Sequence, residues 1–208
     1  MPKIIITGGT GYIGSHTAVE FSNAGFEVVI IDNLSNSELS VLDGIAEITG
    51  KKPVFYQADV CDTNAIDEIF SGHSDAVALV HFAAFKAVGE SVQKPLMYYQ
   101  NNVGGLVNIL DMMQKYSISN IVFSSSCTVY GQPEKLPVTE NSPIVNPESP
   151  YGNTKKISEE IISDSVAAND KLSAISLRYF NPIGAHPSAL IGELPRGVPN
   201  NLLPFITQ

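Results

Sequence analysis

The stretch Lys3-Ile4-Ile5-Ile6-Thr7-Gly8-Gly9-Thr10-Gly11-Tyr12-Ile13-Gly14 decides the fold. A short β-branched apolar run that stops at glycine reads as a buried strand. Tyr12–Ala24 follows with apolar positions Ile13, Ala18, Val19 and Phe21, which is a helical pattern ended by Gly25. Gly8, Gly11 and Gly14 therefore lie between a first strand and a first helix. A tight turn needs a residue without Cβ, and a pyrophosphate touches backbone only where no side chain intervenes. The helix N-terminus adds free N–H groups and the positive end of the helix dipole. An ordinary glycine-rich turn is the plain alternative. The position directly between strand and helix argues for a nucleotide.

Outward from this motif, short apolar runs alternate with helical patterns. Further strands are predicted at Glu27–Ile31, Val54–Gln57, Val77–His81, Asn120–Ser124 and about Leu172–Leu177. Helices are predicted at Glu38–Ile48, Ala65–Phe70, Pro95–Lys115 and Tyr151–Ala168. Strands separated by helices imply an α/β fold, a Rossmann-type doubly wound parallel sheet with helices on both faces. Regular structure thins after Asn181, where Pro, Gly and Asn become dense. Residues 1–180 read as one nucleotide-binding domain, and 181–208 as the start of a second region.

With 208 residues, 44% hydrophobic and 16% charged, the chain can bury a sizeable core. The formal charge of -9 argues against a nucleic-acid partner, which needs a basic surface. It leaves a small anionic ligand open. No apolar run approaches the roughly 18 residues of a membrane span, and Met1-Pro2-Lys3 does not open a signal peptide. Cys61 and Cys127 make no disulfide framework, so free thiols in the cytoplasm are expected. His16, His73, His81 and His186 lack metal-ligand spacing and read as structural, with no metal expected.

Asp32 ends the second strand. A carboxylate there accepts hydrogen bonds from ribose hydroxyls and repels a 2′-phosphate, favouring NAD over NADP; the alternative is a turn residue leading into Asn33. Asp59, after the third strand, reads either as an adenine contact or as a helix cap before Thr63. Tyr151 and Lys155 stand four residues apart near a helix start marked by Pro150, so phenol and ammonium share a face. A solvated helix face is the bland reading. Ser126 lies at the end of the fifth strand, where a parallel sheet presents ligands; alternatively it satisfies strand-end backbone. A hydride leaves a sugar carbon only as the hydroxyl proton departs, which calls for a base. A tyrosine of pKa about 10 must drop by about three units, or about 4 kcal/mol, to serve at neutral pH. Lys155 and a positive nicotinamide are expected to supply that.

Seven segments carry a resemblance over the whole chain. They are residues 7–16 (TGGTGYIGSH), 32–37 (DNLSNS), 81–91 (HFAAFKAVGES), 98–102 (YYQNN), 123–131 (FSSSCTVYG), 149–155 (SPYGNTK) and 177–187 (LRYFNPIGAHP). Together they resemble the extended short-chain dehydrogenase/reductase superfamily and, within it, the UDP-glucose 4-epimerase family. The resemblance implies NAD as cofactor and a UDP-hexose (UDP-galactose/UDP-glucose) as substrate. It implies Tyr151 as base, Lys155 as its electrostatic partner and Ser126 as proton bridge. Contacts to NAD are implied for Gly8, Gly11, Tyr12, Ile13, Gly14, Asp32, Asn33, Leu34, Ser35, Asn36, Ser37, Asp59, Val60, Phe82, Ala83, Ala84, Phe85, Lys86, Asn101 and Phe180, besides the three catalytic residues. Asn181, Asn201 and Leu202, with Ser126 and Tyr151, would hold the UDP-sugar. Ala84 and Cys127 replace the family's usual glycine and alanine; Cys127 reads as a packed thiol.

Related dehydratases expel a hydroxyl with an acid just after the Ser/Thr. Here Ser126 is followed by Cys127-Thr128-Val129, so elimination lacks its general acid. Redox-neutral C4 epimerisation needs none. A dehydratase, another epimerase of the superfamily, or a catalytically silent NAD-binding fragment are the alternatives. The chain stops at Gln208 inside the expected substrate segment; a missing C-terminal domain, little activity alone and poor solubility are the corresponding expectations. A homodimer through the helices at Pro95–Lys115 and Tyr151–Ala168 is implied by the resemblance.

Overall fold

The computed structural model describes residues 1–194 and 205–206. Six strands form one sheet: β1 (Lys3–Thr7), β2 (Glu27–Asp32), β3 (Val54–Gln57), β4 (Ala76–His81), β5 (Asn120–Ser126) and β6 (Ser173–Tyr179). Their order is β3-β2-β1-β4-β5-β6, every pairing parallel. That is the Rossmann order, with its switch point between β1 and β4. Residues in β1 alternate between the two faces. Ile4 and Ile6 pack with Ala18 and Val19 of α1 (Tyr12–Asn23) and Val41, Leu42 and Ile45 of α2 (Ser40–Thr49). Ile5 packs on the other face with Ile66, Ile69 and Phe70 of α3 (Thr63–Gly72), Leu106 and Ile109 of α6 (Gly105–Lys115), and Ile162 of α7 (Pro150–Ala168). Helices thus cover both faces, as the alternating pattern implies.

The structure departs from the expected elements most visibly at the ends of β5 and β6, at the start of the third helix and in the segment leading to Lys115. β5 and β6 each run two residues further, to Ser126 and Tyr179, because they pair along their full length, Asn120 with Ser173 through Ser126 with Tyr179. The third helix starts at Thr63 because Asp62 caps it, accepting from the Asn64 and Ala65 amides at 3.1 Å; the cap reading of Asp59 is therefore corrected. A short helix α4 (Val88–Gln93) precedes Pro95. The long helix expected at Pro95–Lys115 is α5 (Pro95–Tyr98), a π-helical turn at Tyr99–Gly104, then α6. Apolar periodicity passes through such a turn without registering the extra residue.

Two glycines carry the bend from β1 into α1. Gly8 has φ +70, and a Cβ there would stand 2.7 Å from the Ala83 amide nitrogen. A Cβ at Gly14 would overlap the Gly8 carbonyl oxygen and crowd Gly9 Cα at 2.8 Å. Both obstacles are backbone, which cannot swing aside. Gly14→Ala is expected to destabilise the protein by about 1–3 kcal/mol, the usual cost of forcing extra carbon into a filled site. Gly72→Ala, where nothing lies within 4 Å, should change stability by less than about 1 kcal/mol. Urea unfolding of both variants compares them; equal effects would sink the close-approach account.

Candidate active site

Most of the predicted site residues fall at the sheet's carboxyl edge, in the loops that follow the six strands; Tyr151, Lys155 and Asn101 lie on helical segments. Gly11 caps α1 with no side chain, which leaves its first-turn amides to the open side. Asp32 closes β2. Its carboxylate accepts from the Thr10 amide at 3.2 Å, the Leu34 amide at 2.9 Å and the Ser37 hydroxyl at 3.1 Å. The turn reading of Asp32 is thus real: it holds Leu34 at φ +59. A carboxylate has about four lone-pair sites, so three bonds leave room for a ligand. Thr10, which sequence reasoning missed, also meets the Ser37 hydroxyl at 2.7 Å and so locks the glycine loop to the Asn33–Ser37 loop. Its polar neighbours at fixed offsets were the only available signal.

Asp59 lies beside this loop, accepting from Asn33 Nδ2 at 3.0 Å and the Cys61 amide at 2.8 Å. Burial pushes its carboxyl up, but the bonds from Cys61 and Asn33 outweigh that and hold it below the usual range. The Val60 side chain is buried against Gly105 of α6. The Phe82–Lys86 loop is pinned by Asn102, whose Oδ1 accepts from the Phe85 amide at 2.9 Å and whose Nδ2 donates to the Phe85 carbonyl at 3.0 Å and Thr154 Oγ1 at 3.1 Å. Asn102 sits in the π-helical turn, and Asn101 beside it donates to Asn102 Oδ1 at 2.9 Å. Without the turn, nothing in the sequence distinguished the second asparagine.

The residues predicted to be catalytic come together at the end of β5. Tyr151 is half-buried beside Ser126, whose hydroxyl favours the ionised phenol. Lys155 is buried, donates to the Ser124 carbonyl at 2.7 Å and lies 4.9 Å from the centre of the Phe123 ring. Ser126 also caps the short 3-10 turn Cys127–Tyr130, accepting from the Thr128 amide at 3.2 Å, so its strand-end role and its place beside Tyr151 coexist. Burial pushes the Tyr151 phenol up, Ser126 opposes this and Cys127 adds to it; the protein alone does not lower it. The Lys155 ammonium, directed at Ser124, is itself brought down to about 8 by burial. Burial also raises the half-buried Cys127 thiol, as suits a packed group.

After β6 the chain turns back over the glycine loop. Tyr12 donates to the Gly184 carbonyl at 2.6 Å, Lys86 pairs with Glu193 at 3.4 Å, and Ile191 is buried against α2. Phe180 and Asn181 are exposed at the start of this return; Asn201 and Leu202 lie outside the described residues. The histidines have protein partners: His81 with Thr7 at 2.8 Å, His73 with Tyr56 at 3.0 Å, His16 with the Tyr12 carbonyl at 2.8 Å and His186 with Ser188 at 2.8 Å. No helix among the described residues is long and apolar enough to cross a membrane.

A sheet in Rossmann order, with a glycine loop at its switch point and Ser, Tyr and Lys gathered at β5, defines a nucleotide-dependent enzyme class. The profile of the NAD dependent epimerase/dehydratase family matches residues 4–203, and the chain belongs to that family. It is 52% identical over 205 residues to the UDP-glucose 4-epimerase of Bacillus subtilis, covering 99% of this chain and 60% of that protein. The enzyme of the same name from Pasteurella multocida is 51% identical with the same coverage. The chain therefore spans about 60% of the length of these relatives. Among solved structures, a UDP-glucose 4-epimerase from Stenotrophomonas, with NAD and a formylated UDP-arabinopyranose, aligns with TM-score 0.95 and 46% identity. It covers 99% of this chain and 61% of that one. The Bifidobacterium longum enzyme with NAD and UDP gives 0.95 and 42%, covering 98% and 61%.

The two depressed bases set a pH profile of stability. His81 is brought to about 3 by burial, with the Lys155 charge adding to it, against about 6.5 when unfolded. Between those values the unfolded chain binds the extra proton, so stability falls as pH drops from about 6.5, by up to about 1.4 kcal/mol per pH unit. For Lys155 the same sign applies between about 8 and about 10.4: stability rises with pH across that window. Urea unfolding across pH should show the acid slope reduced in His81→Asn and the alkaline rise reduced in Lys155→Met, each read as a difference from the parent. Unchanged slopes would contradict the buried-base assignment.

Proposed function

We propose that this chain carries the NAD-binding and catalytic part of a UDP-hexose 4-epimerase, interconverting UDP-galactose and UDP-glucose without net oxidation. The observation that carries this is the meeting of Tyr151, Lys155 and Ser126 at the carboxyl end of β5, in a chain half identical to enzymes of that name. The residues fit NAD: the Gly8–Gly14 bend is a cradle that a Cβ would fill, and its helix start is uncapped. The first-turn amides of α1 would take the pyrophosphate, Asp32 the adenosine ribose and the Asp59 loop the adenine. When bound, NAD would supply the hydride acceptor and donor for C4 of the sugar. Tyr151 takes and returns the hydroxyl proton, Ser126 bridges phenol and substrate hydroxyl, and Lys155 contributes positive charge near the phenol. The absence of a carboxylate after Ser126 disfavours elimination, which needs a positioned acid.

In this reading residues 1–180 form the cofactor and catalytic unit, and 181–208 begin the substrate region. A cytoplasmic homodimer is part of the proposal, supported by apolar side chains left exposed on α4, α5 and α6, namely Val92, Leu96 and Val107.

The test is a coupled assay of UDP-galactose conversion by the full-length protein. Tyr151→Phe should lose about 10²- to 10⁴-fold in rate, the span typical of general-base removal, while still holding NAD. Near-normal turnover by that variant would refute the mechanism. Calorimetry should show NAD binding more tightly than NADP, with Asp32→Ala narrowing the gap; a preference for NADP in the parent protein would refute the role of Asp32.

A further inference from the structure

Glu159 lies one helical turn beyond Lys155 and two beyond Tyr151, so all three side chains share one face of α7. That face rests on the end of β5 residue by residue. Tyr151 meets Ser126, Lys155 donates to the Ser124 carbonyl, and Ser125 donates to Glu159. The third contact holds no reacting group, yet it is the most heavily braced. Arg178, on β6 directly across from Ser125, grips Glu159 with two bonds, Nε to Oε1 at 2.9 Å and Nη2 to Oε2 at 2.7 Å. Its remaining arm donates to the Tyr130 hydroxyl at 2.9 Å while its guanidinium lies 5.0 Å from that ring's centre. Tyr130 ends the turn that begins immediately after Ser126. The ion pair is poorly accessible, with side chains 21% and 11% exposed, so it escapes most of the screening that weakens surface pairs. A planar bidentate fork also fixes orientation as well as distance.

We propose that Arg178 is a positioning residue for the reaction, clamping α7, β5 and the turn after Ser126 into the one register that aims Tyr151 and Lys155 at the substrate. The proposal rests on the epimerase reading above. One guanidinium braces the helix that carries Tyr151 and Lys155 against the turn that follows Ser126, and a displacement of about 1 Å at such groups costs on the order of 10²-fold in rate. The arrangement also cancels charge. Glu159 uncompensated would be a negative charge on the catalytic face, about 12 Å along the axis from Tyr151 at 1.5 Å per residue, opposing ionisation of the phenol. The other titratable groups facing Tyr151 are Lys155 on the same helix, Cys127 after β5 and Tyr98 at the end of α5.

The experiment uses NAD-loaded full-length protein with Arg178→Met, Arg178→Lys, Arg178→Met/Glu159→Gln and Tyr151→Phe. Arg178→Met is expected to lower kcat by about 10- to 100-fold with KM and NAD content unchanged, and Arg178→Lys to recover part of that loss. Independently of turnover, the Tyr151 phenol titrates at higher pH in Arg178→Met and returns toward the parent value in the double variant, whose kcat stays low. The phenol is read as the tyrosinate absorbance that Tyr151→Phe removes. Parent-like kcat in Arg178→Met or in the double variant overturns the proposal, as does a phenol titration that none of the changes moves. If Arg178→Met does not fold, the double variant and Arg178→Lys, which bury no unpaired carboxylate, decide by the same two readouts. Turnover surviving in Tyr151→Phe would instead bring down the epimerase reading itself.

Discussion

The packing of α7 on the end of β5 depends on a buried ammonium. Lys155 is 4% exposed, with a carbonyl oxygen at 2.7 Å and an aromatic ring beneath it. Taking a charge out of water is costly unless its donors are met, and the Ser124 carbonyl can meet one only if α7 lies flat on the end of β5. The rest of the arrangement answers that demand. Small serines at 124–126 let the helix approach. Ser149 caps α7 by accepting from the Gly152 amide at 3.1 Å, which fixes where the helix starts. Asn153 donates to the Tyr99 hydroxyl at 2.6 Å, tying the same helix to the π-helical turn. Burial of Lys155 and His81 together explains why the floor of the site is both charged and dry: the imidazole below is held neutral by its burial and by the lysine.

The cofactor half is built on the opposite logic, with backbone rather than side chains at the surface. Gly8 and Gly14 admit close approach because nothing projects from them, and the first turn of α1 is uncapped by any protein group. What rigidity the loops have comes from polar side chains behind them. Asp32 binds Thr10, Leu34 and Ser37, and Asp59 binds Asn33 and Cys61. Each carboxylate therefore shapes a loop before any ligand arrives. A residue that both preforms its loop and offers spare acceptor capacity costs little reorganisation on binding.

The sequence was most legible where function and local structure coincide. The Ile4–Ile6 run against the glycines fixed β1, its loop and α1 together, because strand period, turn chemistry and helix start all change within a dozen residues. Tyr151 and Lys155 were legible because a helix converts a four-residue spacing into a shared face. What sequence could not reach was contact between distant segments. Glu159 and Arg178 each look like an ordinary surface charge, and only the register of β5 against β6 brings them to Ser125. Asp62 rather than Asp59 caps α3 because the cap depends on the backbone turn at 62, φ -86 and ψ 96, which composition does not specify. The return of residues 184–193 over the glycine loop rests on buried Ile191, the Tyr12 bond to Gly184 and the Lys86–Glu193 pair, in a stretch rich in turn formers.

The state of the Tyr151 phenol joins the two halves. Motif reasoning assigns Lys155 and a positive nicotinamide the task of lowering it; in this fold burial raises the phenol, and the Lys155 ammonium donates to the Ser124 carbonyl. At neutral pH the tyrosine is therefore a hydrogen-bond donor, well matched to hold a substrate hydroxyl and poorly matched to deprotonate it. Its conversion to a base requires added positive charge beside it, and the dry surroundings that now oppose ionisation would strengthen any such charge once present.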